Sequence, residues 1–148
     1  AYFKDKLSHR TKQRDDRWSS DLGTFVKTTS REVYRGSILE HMLIQHLTAF
    51  FNVGEHNNIL LEDADWNDAL DMANERGESV AFTAFYSGNL RILGELCLVL
   101  AGKGVEQIAL LSELTDLLDT LSAPVDYNSY AQKRERLQQY FDRTSHNV

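Results

Sequence analysis

Residues 37–54 read Ser-Ile-Leu-Glu-His-Met-Leu-Ile-Gln-His-Leu-Thr-Ala-Phe-Phe-Asn-Val-Gly. Ser37 and Glu40 stand in the S-x-x-E relation of a capping box, in which each side chain can satisfy an orphan amide of the first helical turn. Ile38, Leu39, Met42, Leu43, Leu47, Phe50 and Phe51 then recur at helical spacing, and Gly54 is placed to close the helix. The same pattern recurs downstream. A second helix is predicted over about Glu78 to Ala101, carrying Val80, Phe82, Phe85, Leu90, Leu93, Leu96, Cys97 and Leu100. It is apolar around much of its surface, which predicts burial on several sides. Gly88 and Gly94 inside it each cost roughly 1 kcal/mol relative to alanine, so they read as sites of close helix packing. A third helix is predicted over about Val105 to Leu121, with Ile108, Leu111, Leu114, Leu118 and Leu121 on one stripe. That stripe is too short for a zipper and reads as core. Pro124 separates it from a fourth, about Ser129 to Asp142, with Tyr130, Leu137, Tyr140 and Phe141. No strand signal is strong. The fold class is all-α, with antiparallel helices and one long connection over residues 55–77. A connection of that length in a compact helical domain is usually functional.

Composition narrows the function. The chain has 148 residues, 42% of them apolar, which suits a packed core and not a disordered chain. A formal charge of −6 argues against a nucleic-acid binder. Residues 1–35 hold nine Lys/Arg and five Asp/Glu, and they read as polar, basic and partly irregular. The basic stretch from Lys4 to Arg17 reads as a solvated face, with contact to a phosphate or an acidic partner as the alternative. Cys97 is a lone cysteine, expected to be a small buried hydrophobe in a reducing compartment, which points to a cytoplasmic protein. No run of about 18 consecutive apolar residues is present, so no membrane partner is expected. The chain starts at Ala1 within polar sequence and ends at Val148 without a closing element, so both ends read as cut.

The densest chemistry lies at residues 62–71, Glu-Asp-Ala-Asp-Trp-Asn-Asp-Ala-Leu-Asp, with carboxylates at Glu62, Asp63, Asp65, Asp68 and Asp71. Like charges at this density, when buried, raise a carboxyl pKa toward the range a general acid needs. Trp66 offers a flat apolar face for a pyranose ring. Three uses compete. As a calcium loop starting at Asp63, the sixth position should be glycine and is Asp68, and the twelfth should be glutamate and is Asn74; no metal site is expected. As a structural element, one aspartate caps a short helix and the rest face water. As a catalytic loop, one carboxyl is a proton donor and its neighbours bind substrate.

Asp65-Trp66-Asn67-Asp68, followed by Gly77-Glu78-Ser79-Val80 at the head of an apolar helix, resembles the inverting glycoside phosphorylases that include cellobiose and chitobiose phosphorylase. Their motif reads D-W-N-D-G-M-N and is followed by G-E-S-V. Ser37 to His41 resembles the helix that leads into this loop, so the resemblance covers about residues 35–98.

The resemblance implies an (α/α) six-fold barrel with its active site in loops at one end. Residues 1–148 would then be a partial catalytic domain, with 36–148 its helical portion. It implies transfer of a glycosyl unit from a β-linked oligosaccharide to inorganic phosphate, giving an α-sugar 1-phosphate. Phosphate is the co-substrate and no cofactor is required. One carboxylic acid suffices, because phosphate attacks directly; an inverting hydrolase needs a second carboxylate to activate water. The family's general acid falls on Asp68. Trp66 would line the substrate site, and Asp65 would orient the loop or bind sugar. This chain has Ala69-Leu70-Asp71 where the family often has Gly-Met-Asn, which puts the loop backbone and the acceptor sugar in doubt. The family's phosphate-binding residues are not found here, so the isolated chain is expected to be inactive. Apolar faces left open by absent barrel helices would favour homo-oligomers. A non-catalytic helical scaffold and an inverting hydrolase on the same barrel are the alternatives.

Other residues carry plainer expectations. His41 and His46 are five apart, a poor geometry for shared metal ligation, and read as core or surface histidines. His56 reads as loop surface, and Tyr127, Tyr130 and Tyr140 as packing residues. Arg76 and Glu78 flank Gly77 and read as an ion pair or as groups that reach the site.

Overall fold

Ser37 caps the first helix as its sequence requires. Its hydroxyl accepts the Glu40 amide at 3.0 Å, and α1 runs from Ile38 to Phe51. The reciprocal half of the capping box is replaced. Glu40 is only 2% exposed, and its Oε2 accepts the Tyr34 hydroxyl at 2.8 Å and the Leu111 amide at 2.6 Å. A helix-start residue has become a buried tie between three distant parts of the chain. Gly36 makes room for it, since a Cβ there would overlap the Glu40 carboxylate.

The computed structural model describes residues 28, 30, 32, 34–61, 76–118 and 121–146. Among these residues the fold is all-α. After α1 come a short strand β1 (Ile59–Leu60), its partner β2 (Glu78–Ser79), then α2 (Val80–Gly102), a 3-10 helix (Ser112–Leu117) and α3 (Tyr130–His146). The core joins α1, the 3-10 helix and α3 through Ile44, Phe51, Leu114, Leu117, Leu137 and Tyr140. Arg136 binds the carbonyls of Asp116 and Ala123 and the Ser122 hydroxyl, while Arg143 grips the Asp116 carboxylate at 2.8 and 2.9 Å. These bonds lash α3 to the 3-10 helix and the segment after it.

Three expectations need correction. The third helix is not an α-helix from Val105 to Leu121: residues 105–111 are irregular and only Ser112–Leu117 coil, with 3-10 geometry. The buried pair there is Leu114 and Leu117, three apart, which matches the three-residue turn of a 3-10 helix. The Leu111 amide, which an α-helix would have consumed, goes to Glu40 instead. Secondly, α2 is not buried on several sides. Leu93 is its buried residue, whereas Val80, Phe85, Leu98 and Val99 are exposed, and Cys97 is half-buried. By length and composition α2 is long and apolar enough to cross a membrane, at mean hydropathy 1.2. The expectation of no span rested on consecutive apolar residues, and the Arg91–Glu95 ion pair interrupts them. Thirdly, a Cβ at Gly88 or Gly94 would meet nothing within 4 Å, so neither glycine serves close packing among the described residues.

His46 is buried as a packing histidine: its Nδ1 donates to the Met42 carbonyl at 2.7 Å, and its ring lies 5.2 Å from Tyr86 of α2. Tyr140 is core, and Tyr127 packs edge-on against Phe50 at 5.3 Å, as expected of packing residues.

Replacing Glu40 by leucine strands the Tyr34 and Leu111 donors and should cost about 2–4 kcal/mol in urea unfolding. Glu40→Gln should cost about half of that or less, because an amide oxygen can take the Oε2 place. Burial, then the bond to Glu40 and the charges of Glu40 and Glu113, raise the Tyr34 phenol from 10.0 to about 12. Tyr34 therefore contributes stability that is complete below pH 10 and lost as pH rises through about 12. Alkaline unfolding curves of the wild type and Tyr34→Phe should diverge below that window and converge above it.

Candidate functional site

The strands β1 and β2 form the base of the long connection. They pair antiparallel, Ile59 with Ser79 and Leu60 with Glu78, and the Leu61 amide donates to the Gly77 carbonyl at 2.9 Å. The chain leaves this ladder at Leu61 and returns to it at Arg76. Asp65, Trp66 and Asp68, with Glu62, Asp63 and Asp71, fall between and lie outside the described residues. What the structure describes is the neck from which they are carried.

Sequence position alone explains part of the neck. Ser79 has extended backbone and caps α2 by accepting the Phe82 amide at 3.1 Å. The β-branched Thr83, one turn on, donates to the Ser79 carbonyl at 2.7 Å and accepts the Ile59 amide at 2.9 Å. Its hydroxyl thus joins the head of α2 to β1. Val53 bridges to Ile59, and both are buried. These contacts turn Ile59–Leu60, read as loop, and Glu78–Ser79, read as the start of the second helix, into a short ladder. A two-residue ladder is too small for periodicity to reveal.

The turn between α1 and β1 is held by Glu78. Its Oε1 accepts the His56 amide at 3.1 Å and lies 3.0 Å from His56 Nδ1, and its Oε2 accepts the Asn58 amide at 3.0 Å. Burial opposes the charge on Glu78. The amides of His56 and Asn58 and the His56 ring outweigh it, and they hold the carboxyl below its usual 4.5. Gly54 does not close α1, which ends at Phe51 with Asn52 as its C-cap. Gly54 is needed because a Cβ at that position would overlap the Glu78 side chain.

Asn57 completes the turn in the left-handed region, at φ 63°. Its side chain is fixed at both ends: Nδ2 donates to the Tyr127 carbonyl at 2.9 Å, and Oδ1 accepts from Lys133 Nζ at 3.0 Å. Lys133 is 4% exposed, and its ammonium lies 4.1 Å from the centre of the Phe50 ring. Burial pushes its pKa below the usual 10.5.

Arg76 and Glu78 do not pair. Arg76 binds Glu55 at 3.0 Å with both side chains exposed, so it adds little stability. His56 is at the surface as expected, but its inner nitrogen is committed to Glu78. Sequence reasoning paired Glu78 with Arg76 or sent it to the site, and left Asn57 and Lys133 without roles. Gly54 with Glu78, 24 residues on, offered a faint signal, a small residue and an acid at the two ends of one connection. Lys133 gave none, since an isolated lysine on an amphipathic helix reads as solvated. Among the described residues, no three His, Cys, Asp or Glu side chains are grouped to hold a metal ion.

A family model described as the glycosyl hydrolase 94 superfamily, catalytic domain, matches residues 18–118. That stretch takes in α1, the neck, the acidic segment and α2. No curated protein matches the chain.

Since Glu78 is held below 4.5, its clamp contributes stability present above that pH and lost as pH falls through the lower folded value. Glu78→Gln should flatten this acid limb in unfolding curves. Gly54→Ala should cost about 1–3 kcal/mol by forcing the Glu78 side chain out of its slot, with the loss read by urea unfolding at pH 7.

Proposed function

The chain belongs to the glycosyl hydrolase 94 superfamily, a group of glycoside-processing enzymes that act on oligosaccharides, and on that footing we propose that it belongs to an inverting phosphorylase of β-linked glucosides. The observation that carries the proposal is the family match itself, which spans both the Asp65-Trp66-Asn67-Asp68 and the Gly77-Glu78-Ser79-Val80 motifs. In this reading residues 1–148 are part of an (α/α) six-fold barrel. The exposed apolar face of α2 is then the face that neighbouring barrel helices cover, and in the isolated chain it favours self-association. The protein works in the cytoplasm.

The reaction follows from the charges involved. A phosphate oxygen attacks the anomeric carbon from the face opposite the β-glycosidic bond. The carbon–oxygen bond to the leaving sugar breaks as Asp68, protonated, delivers its proton to the departing oxygen. The products are an α-sugar 1-phosphate and the shortened sugar, and Asp68 is left as a carboxylate to be reprotonated. Phosphate brings its own nucleophilic oxygen, so no second carboxylate is required. Trp66 forms an apolar wall for a sugar ring. Asp65 accepts sugar hydroxyls or orients the segment. The phosphate-binding groups lie elsewhere in the barrel, so the isolated chain is inactive. The family match favours this reading over a scaffold.

Phosphorolysis of β-glucobioses by the full-length protein should release sugar 1-phosphate, and Asp68→Asn should lower kcat by about 10²–10⁴-fold. Near wild-type release by that variant would overturn the assignment of Asp68. Equal sugar release with and without phosphate would identify a hydrolase instead.

A further inference from the structure

Residues 105–117 stand at odds with their own sequence. Nine of the thirteen residues from Glu106 to Leu118 are strong helix formers, and neither glycine nor proline falls between Gly104 and Pro124. Leu110, Leu114, Leu117 and Leu118 recur at i, i+4, i+7 and i+8, one face of an α-helix. Yet residues 105–111 are irregular, and among the described residues the amides of 106–110 make no hydrogen bond. Residues 105–109 are exposed, Val105 at 40% and Ile108 at 39%. A 3-10 run of six residues follows, longer than its poorer hydrogen-bond geometry usually sustains. We infer that residues 105–118 form a two-state segment: Glu40 is a latch that holds it irregular, and it coils into an α-helix when the bond from Glu40 to Leu111 is released. The device is independent of the reaction proposed above.

The latch is one atom. Oε2 of the buried Glu40 accepts the Leu111 amide at 2.6 Å and the Tyr34 hydroxyl at 2.8 Å, so the segment before Gly36 and the segment before the 3-10 helix share it. The break in the coil falls at the residue it holds: Leu111 has φ −53° and ψ 133°, an extended ψ where a helix needs a negative one. An α-helix would send the Leu111 amide to the Gln107 carbonyl, four residues back, and would give Ala109 and Leu110 the carbonyls of Val105 and Glu106. The core does not oppose that change. Leu114 and Leu117, at 0% and 2% exposure, are three apart and share a face in either geometry. A helix ending at Leu118 leaves the Asp116 carbonyl without an intrahelical donor, so Arg136 can keep it. Glu106 in the first turn suits the helix dipole. Against the helix stand the entropy of ordering residues 105–109 and the bond to Glu40. Only the second can be switched.

The test reads amide exchange and α-carbon chemical shifts in the full 148-residue chain. In the wild type the Leu111 amide should be protected, Ala109 and Leu110 should exchange freely, and residues 106–111 should show no helical shifts. In Glu40→Leu the stranded Leu111 amide passes to Gln107. Helical shifts should then appear over residues 106–111, and Ala109 and Leu110 should exchange at least about 10-fold more slowly than in the wild type. Glu40→Gln keeps an acceptor and should retain the wild-type pattern. Ala109→Gly should abolish the gained helical shifts in the Glu40→Leu background and leave the wild-type pattern unchanged, since only a helix penalises that glycine. Residues 106–111 that stay irregular in folded Glu40→Leu would overturn the inference, as would helical shifts there in the wild type. Should Glu40→Leu not fold, Glu40→Asp takes its place with the same expectations, its shorter side chain drawing the carboxylate away from Leu111.

Discussion

A carboxylate drawn away from water is costly unless its lone pairs are taken, and the described part of this protein is arranged around two that are satisfied, the buried Glu40 and the half-buried Glu78. Glu78 closes the turn after α1 and joins it to the head of α2. Glu40 joins the start of α1 to Tyr34 and to the segment entering the 3-10 helix. Each sits in a space that a glycine leaves open, Gly54 in one case and Gly36 in the other. Remove the bonds and a charge is stranded; add a methyl group and the charge is displaced. The remaining contacts, from the Ile44–Leu114–Leu137 core to the arginine lashings of α3, build on elements these two acids have already joined.

The Asp-Trp-Asn-Asp and Gly-Glu-Ser-Val stretches share one connection. In the sequence they are separate words, one acidic and one a helix start. In the fold the second lies at the ladder where the connection carrying the first begins and ends. Ser79 caps α2, Glu78 holds the turn before β1, and Gly77 takes the Leu61 amide where the acidic segment departs. Lys133 and Phe50 extend the support to α3 through Asn57, so the neck is braced by the same helices that form the core.

Some of this was legible in the residues and some was not. The helix over residues 38–51 and its Ser37 cap follow from periodicity and a short polar side chain at the right place. The head of α2 and the packing roles of His46 and Tyr140 follow in the same way. The predicted third helix failed because a leucine spacing of three and four fits an α-helix and a 3-10 helix almost equally over six residues. Glu40, 71 positions away, takes the Leu111 amide that an α-helix running from Val105 would have used. The apolar surface of α2 was read correctly as apolar, and burial was inferred from it. Burial belongs to the partner that covers a face and not to the face itself.

The sequence by itself determined that the protein is helical and where its first two helices begin. It also set an Asp-Trp-Asn-Asp motif and a Gly-Glu-Ser-Val motif on either side of one connection, with the family match spanning both. These are local matters, governed by side-chain spacing, caps and short motifs. Tertiary structure alone decided that Glu40 is a buried tie and Glu78 a half-buried one, that Gly36 and Gly54 leave room for them, that Lys133 points inward, and that residues 112–117 coil in threes. The physical reason is common to all of them. A polar group's role is set by which partners reach it, and partners 22 to 76 residues away are brought within hydrogen-bonding distance only by the fold.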